Sequence, residues 1–266
     1  MENRTLWIVL AVVVLMALLC CCVVIGAAGI AALFTAVPTV SEGGIGRVEE
    51  RTEQTFTVRE APTLEVNSFA GSVTVTAGES GQMRIVLTKR ASSSGQLDRI
   101  TAEAFETEDG AVIRTSMVGE VSGYRTVDIE VRVPPDARLS LSTDAGAVLV
   151  ENVQGPIKAH SGAGNVRAEG AAGPVALDTG AGAVEYAGDP RGECSFETGA
   201  GSVTLRLPGD LNARVELHTG VGRIDLGGFD VDGETSVTDV DGVIGTGEEA
   251  TIEAQTGAGS IRLAER

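Results

Sequence analysis

Hydrophobic and polar residues follow one repeated phrase over much of the chain, from about Ala137 to Leu263. The phrase consists of a Ser or Thr, usually Gly-Ala, a closing Gly, and then polar residues that alternate with Val, Ile or Leu. An eighth copy, NSFAGSVTV, precedes this region and lies near residue 70. A period near 20 residues is typical of stacked repeats. The closing glycines are Gly71, Gly146, Gly164, Gly182, Gly201, Gly222, Gly242 and Gly259.

Four apolar columns appear when the copies are aligned on the closing glycine. They lie two and four residues after it, and five and seven residues before it. Alternation on both sides of a tight turn predicts two short strands per copy. In the first of these columns every residue is β-branched, and its members are Val73, Val148, Val166, Val184, Val203, Ile224, Ile244 and Ile261.

A single copy cannot bury its apolar face alone, so its stability must come from stacked neighbours. The sequence therefore predicts an all-β fold, a parallel β-solenoid of about seven to eight two-strand coils. Residues 137–266 form the repeats, and the column that contains Val166, Val184, Val203 and Ile224 should be one interior file. The open edge of the stack is expected near Leu263.

The turn has its own chemistry. Three residues before the closing glycine, nearly every copy has a Ser or Thr, whose hydroxyl can hydrogen-bond the turn backbone. The copy around Gly242 departs from the pattern, because Thr235, Asp239 and Thr246 occupy positions that are apolar or hydroxyl-bearing elsewhere. We expect that copy to be the least stable coil.

The N-terminal run from Leu6 to Val37 contains no charged residue and exceeds the ~20 residues that cross a bilayer. It is longer than the apolar core of a cleaved signal peptide, which is the alternative. We predict a transmembrane signal anchor over 6–37, a cytoplasmic segment over 1–5 and a stalk over 38–55. Arg4 before the run favours an extracytoplasmic location for the rest of the chain.

Residues 56–136 are predicted to form an N-terminal antiparallel β module that includes the first copy and covers one end of the stack. Period-two alternation marks a strand through Met83, Ile85 and Leu87 and another from Val127 to Val133. Asp109-Gly110 is typical of a hairpin turn.

The net charge is −17, with 37 Asp and Glu against 20 Lys and Arg. An acidic exterior disfavours nucleic acid as a partner. Aromatic residues make up 3% of the chain, and no nucleophile–base–acid trio or phosphate-binding loop has a recognisable spacing, so no catalytic residue and no cofactor is expected. Cys194 is interpreted as a member of an inward column, and a reactive thiol is the alternative.

One group of polar residues could form a metal site or a pH-sensitive site. Four residues before the closing glycine, successive copies have His160, Asp178, Glu197 and His218, which include both histidines of the chain. Stacked on adjacent coils, imidazoles and carboxylates could bind a divalent transition metal or give pH sensitivity. A solvated ladder of charges is the alternative. Asp230-Val-Asp232 and Asp239-Val-Asp241 resemble fragments of a calcium loop without its full spacing.

The first copy, the segment VRVPPDARLSLST and the serial TGAGSVxL phrases resemble the bacterial putative adhesin family, over about residues 60–263. That resemblance implies a β-solenoid of unknown function, often behind a membrane anchor, with no catalytic residues to carry over. The leading hypothesis is a non-enzymatic, membrane-anchored protein that acts in adhesion, envelope structure or sensing through an envelope protein or glycan. The alternatives are a scaffold that self-associates through its ends and a glycan-active hydrolase.

Overall fold

The computed structural model describes residues 39–43, 47–119 and 123–266, which belong to one compact unit. The predicted transmembrane anchor over 6–37 and the cytoplasmic segment over 1–5 lie outside the described residues. Within the described residues, no helix has the length and apolar character needed to span a membrane. A single short helix among them, α1, covers Ser94–Leu97.

The described residues form two sheets of eleven strands each, so the all-β prediction is confirmed. Both sheets mix parallel and antiparallel pairs. In spatial order, the first sheet consists of β1 (Thr39–Gly43), β2 (Arg47–Thr57), β5 (Gln82–Ala91), β8 (Arg125–Val133), β4 (Val73–Ala77), β10 (Val148–Glu151), β12 (Val166–Ala171), β14 (Val184–Gly188), β16 (Val203–Leu207), β22 (Ile261–Glu265) and β18 (Ile224–Asp225). The second consists of β19 (Asp232–Thr235), β20 (Asp239–Ile244), β17 (Ala213–Val221), β21 (Ala250–Ala258), β15 (Gly192–Ala200), β13 (Val175–Ala181), β11 (Ile157–Ala163), β9 (Arg138–Ala145), β3 (Thr63–Ser68), β7 (Gly110–Met117) and β6 (Ile100–Thr107).

Each regular copy contributes one strand to the second sheet before its closing glycine and one strand to the first sheet after it. Successive copies pair in parallel and in register, so that Val148, Val166, Val184 and Val203 are direct neighbours. The predicted columns are therefore confirmed at these positions. All four valines are at most 1% exposed.

The inward columns of the two sheets form one apolar core. Its largest buried side chains include Tyr186 of the first sheet and Phe196 of the second. Their ring centroids lie 5.1 Å apart with tilted planes, a favourable aromatic geometry. The Tyr186 hydroxyl donates a 3.0 Å hydrogen bond to the Ala171 carbonyl, which satisfies the polar end of an otherwise apolar side chain.

The turn between the two strands of each copy joins neighbouring copies through a hydroxyl–carbonyl ladder. The hydroxyl three residues before one closing glycine donates to the carbonyl of the closing glycine in the adjacent copy, at 2.8–3.0 Å. The pairs are Ser161 with Gly146, Thr179 with Gly164, Thr198 with Gly182, Thr256 with Gly201, and Thr219 with Gly259. The predicted structural role of these hydroxyls is thus observed in five copies.

The closing glycines meet a steric requirement of the same turn. Seven of the eight have positive φ, between 120° and 157°, and Gly242 is the exception. At Gly182 a Cβ atom would lie 2.3 Å from the Gly164 carbonyl oxygen. Only glycine combines this backbone conformation with such a close approach of the neighbouring copy.

The prediction that the copies stack in chain order is wrong after β16. The last copy, residues 250–265, lies between the copy of Gly201 and the copy of Gly222, because β21 pairs with β15 and β17 while β22 pairs with β16 and β18. Ile224 consequently follows Ile261 in the interior file and is only partly buried. The C-terminal strand that contains Leu263 is internal, so the open edge is not there.

The copy around Gly242 is not a parallel coil, which corrects a second expectation. Its strand β20 runs antiparallel to β17, and β19 runs antiparallel to β20, at the end of the second sheet. Val237, expected in an inward column, is 67% exposed. Stacking in chain order would have placed Thr235 and Thr246 between two apolar neighbours, and burial of polar groups without partners is costly. The observed order leaves both exposed at the edge.

The N-terminal module has the predicted strands β5 and β8 and the predicted β6–β7 hairpin, but it is mixed rather than antiparallel. β3 pairs in parallel with β7 and β9, and β4 pairs in parallel with β8 and β10. The predicted stalk also differs, because β1 and most of β2 fall within residues 38–55. β2 pairs with β5 in an antiparallel ladder, and ion pairs also join Glu53 to Arg84 and Glu50 to Lys89.

Replacement of Gly182 by Ala tests the corner. The added Cβ would meet the Gly164 carbonyl oxygen at a position with φ of +147°, so we expect the free energy of unfolding to fall by about 1–3 kcal/mol. Urea denaturation followed by circular dichroism measures this. Gly95→Ala is the control, because its Cβ would meet nothing within 4 Å; equal stability of the two variants would contradict the account of the corner.

Replacement of Thr179 by Val tests the hydroxyl ladder. Thr179 is fully buried and its hydroxyl donates 2.8 Å to the Gly164 carbonyl. Removal of that donor from a buried site should lower the free energy of unfolding by about 1–3 kcal/mol. Thr179→Ser keeps the hydroxyl and should retain most of the stability. The ladder explanation fails if Thr179→Ser is as destabilising as Thr179→Val in the same urea titration.

Candidate interaction surface

The residues between the inward columns point to solvent and form straight rows across the outer face of each sheet. In-register pairing places one residue from every strand in a row, at a spacing of ~4.8 Å. On the second sheet the row that contains the predicted site residues reads His160, Asp178, Glu197, Gln255, His218 and Asp239.

Two histidine–aspartate pairs lie in this row. The Nδ1 atom of His160 is 2.6 Å from a carboxylate oxygen of Asp178, and the Nδ1 atom of His218 is 2.6 Å from a carboxylate oxygen of Asp239. The four side chains are between 46% and 63% exposed. Each pair joins two adjacent strands, and the second pair joins the edge hairpin β19–β20 to the last parallel strand.

The four predicted metal ligands do not occupy consecutive strands, which corrects that part of the prediction. Gln255 separates Glu197 from His218, because the last copy is inserted between theirs. The imidazoles of His160 and His218 are thus four strand spacings, ~19 Å, apart. Among residues 47–119 and 123–266, no three His, Cys, Asp or Glu side chains converge on a point that could hold a metal ion.

Asp239 has an electrostatic environment of its own. The Thr238 hydroxyl donates to its carboxylate at 2.7 Å, and this bond, followed by the His218 imidazole, holds the pKa of Asp239 below its ordinary value. A lowered carboxylate pKa stabilises the folded state above the unfolded-state pKa of ~3.9, and that contribution is lost as the pH falls through the folded-state pKa. Protonation of Asp239 in acid should therefore weaken its contact with His218.

Cys194 lies in an inward column, at 2% exposure. Burial raises the pKa of its thiol, and its Sγ atom lies 3.9 Å from the Gly173 carbonyl oxygen. A buried, protonated thiol is a poor nucleophile. These observations favour the interpretation of Cys194 as a core residue over that of a reactive thiol.

The next row of the same outer face is acidic toward the edge hairpin. Glu234, Asp241, Glu216 and Glu253 are direct neighbours on four adjacent strands. Glu216 and Glu253 share the position six residues before their closing glycines, whereas Glu234 and Asp241 lie eight residues and one residue before Gly242. Alignment on the closing glycine therefore brings the first two together but not all four. Gln255 does share the position four residues before its closing glycine, but its place between Glu197 and His218 depends on the inserted copy.

Comparison with known proteins bears on the fold. No family model and no curated protein matches the sequence. Among solved structures, a "putative cell adhesion protein" from Clostridium sporogenes is 16% identical, covers 81% of this chain and 100% of its own, and has a TM-score of 0.51. A "putative adhesin" from Bacteroides fragilis is 12% identical over 80% of this chain and 96% of its own, with a TM-score of 0.44. The first likeness shows a shared fold.

The environment of Asp239 can be tested by replacement of its two hydrogen-bond partners. Thr238→Ala should move the pKa of Asp239 back toward the ordinary value, and His218→Gln should do so to a smaller extent, because the Thr238 bond has the larger effect. The pH dependence of the Asp239 carboxyl ¹³C shift measures both. His160→Gln, which changes the other pair, should leave the titration of Asp239 unchanged; a shift there of equal size would contradict this account.

Proposed function

We propose that this protein is a membrane-anchored, extracytoplasmic β-solenoid that works as a non-enzymatic adhesin-like binding protein of the cell envelope. The stacked copies form a rigid body whose partner is an envelope protein or a glycan. Residues 6–37 hold it in the membrane, and the two sheets stand outside.

One observation carries the proposal: the interior of the fold is filled, whereas its outer faces are wide, regular and polar. The inward columns are closed by Val, Ile, Leu and aromatic side chains at or near zero exposure. At outer-face positions, His160 and Glu197 are exposed and Asp178 is partly exposed. A surface of this kind suits contact with an extended partner, whereas enzyme sites usually lie in clefts.

The shared fold with the Clostridium sporogenes protein agrees with this proposal, since that protein is described as a putative cell adhesion protein. Sequence identity of 16% transfers the architecture only. The role in adhesion is therefore proposed from the outer faces together with that likeness.

The proposed location can be tested in intact cells that produce the full chain with an epitope tag after Arg266. External protease should remove the tag from intact cells if residues beyond the anchor are extracytoplasmic, while a tagged cytoplasmic protein stays intact. Survival of both tags until the cells are lysed would overturn the proposed location.

The proposed binding role can be tested by site-specific photo-crosslinking in the same cells. A photoreactive residue at Asp178 or Glu130 on the outer faces should capture a specific envelope component. The same residue at Gly95 of α1, which is exposed and where a side chain would meet nothing within 4 Å, is the comparison position. Absence of any specific capture from a series of positions along both outer faces would contradict a binding role.

A further inference from the structure

We propose that the outer face of the first sheet holds a binding site for a carboxylate group of an acidic glycan, formed by Arg51, Arg84 and Arg132. The three side chains line one open depression of about 230 Å³ on strands β2, β5 and β8. This site deepens the proposed function, on which it rests for the presence of a glycan partner.

The arrangement of two of the arginines is unfavourable without a ligand. Arg84 and Arg132 are direct cross-strand partners in the antiparallel pair β5–β8, and like charges directly opposite each other destabilise a sheet. The chain has 37 acidic residues against 20 basic ones. Two arginines that face each other therefore depart from the overall composition of the chain. A bound anion removes the repulsion.

The arginines are also available to an external anion. Arg84 forms one ion pair, 2.7 Å from Glu53, and its side chain is still 51% exposed. Among the described residues, no ion pair within 4 Å involves Arg51 or Arg132, and both are exposed. With Glu130, which also lines the depression, and Glu53, which pairs with Arg84, the five side chains carry a net charge of +1.

The lining matches a carboxylated sugar. Guanidinium groups bind carboxylates through two parallel hydrogen bonds, and the hydroxyls of Thr74 and Thr76 at the rim can meet sugar hydroxyls. The Thr76 hydroxyl already contacts Glu151 at 3.4 Å, which leaves Thr74 as the freer of the two. Val86, which is only 6% exposed although it lies on the outer face, forms the apolar floor.

The position in the sheet disfavours a peptide as the ligand. Peptides commonly bind β proteins by adding a strand at an exposed sheet edge. β5, β8 and β4 are all internal strands with partners on both sides, so their main-chain groups are engaged. Recognition at this site must come from side chains alone, and its donors suit an oxygen-rich anionic polymer.

The test measures binding of a fluorescent oligogalacturonate to the purified full chain in non-ionic detergent by fluorescence anisotropy. We expect binding that weakens when NaCl rises from about 50 to 500 mM, since salt screens exposed charges. The variant R51Q/R84Q/R132Q should lose about tenfold or more in affinity, because it removes the charge-assisted hydrogen bonds. E130Q should gain about two- to fivefold, because it removes the one negative charge of the lining.

The matched control is R114Q/R206Q/R223Q, which changes the net charge by the same amount at three exposed arginines elsewhere. It should retain affinity within about twofold if the depression is the site, since distant exposed charges are screened. Equal loss in the two triple variants, or no loss in R51Q/R84Q/R132Q, overturns the assignment. The gain in E130Q guards against a loss caused only by misfolding.

Two further probes separate the chemical sources of the anion. Binding of polyglutamate as tight as that of oligogalacturonate would overturn a glycan ligand, and binding of anionic phospholipid vesicles alone would overturn it as well. Neutral dextran should not bind. The outcome is independent of the cell experiments: glycan binding by the purified chain without capture in cells would defeat the proposed function and leave the site intact.

Discussion

The close contact between the turns of adjacent copies is the constraint on which the structure depends. A closing glycine with positive φ lets the carbonyl of the neighbouring turn approach to a distance that any Cβ would block. The hydroxyl three residues earlier then donates to that carbonyl. Five copies make both contacts with the same positions, so these copies share one register, and the apolar columns on both sides of the turn align as a consequence.

That constraint fixes register but not order. Every regular copy offers the same glycine, hydroxyl and β-branched residues, so the turn of one copy fits equally well on several others. We attribute the spatial order of the copies to the copy around Gly242, which lacks the repeated residues. With Asp239 at the hydroxyl position and Thr235 and Thr246 in apolar columns, the copy around Gly242 is poorly suited to the interior of a stack. The last copy takes the inner place, and the divergent one becomes an antiparallel edge whose charges discourage pairing with other chains.

This explains what the sequence could and could not predict. Columns, turns and the strands of the N-terminal module follow from local alternation and were predictable. The insertion of residues 250–265 was not, because it depends on a competition between similar contacts. Strand β2 was missed for another reason: in its sequence RVEERTEQTFT only Val48 and Phe56 are apolar, so no continuous apolar stripe marks the strand. Its main-chain pairing with β5 is accompanied by ion pairs such as Glu50 with Lys89. The row of site residues failed at one position only, where Gln255 enters it.

A filled interior also limits where this molecule can act. The space between the sheets is occupied by side chains such as Tyr186 and Phe196, whose rings lie 5.1 Å apart across it, so the surfaces left for contact with a partner are the outer faces, the sheet edges and the ends of the stack. At one edge the hairpin β19–β20 presents Asp232, Glu234 and Asp241, which disfavours strand addition there. The outer faces extend over eleven strands each, and the positions of their rows are set by the repeat wherever the copies are regular. Positions outside the regular copies are free to carry other residues. The two arginines that face each other on β5 and β8 occupy such positions. Both arginines belong to the N-terminal module, whose outer residues are not constrained by the repeat. Residues there can change without loss of the contacts between copies.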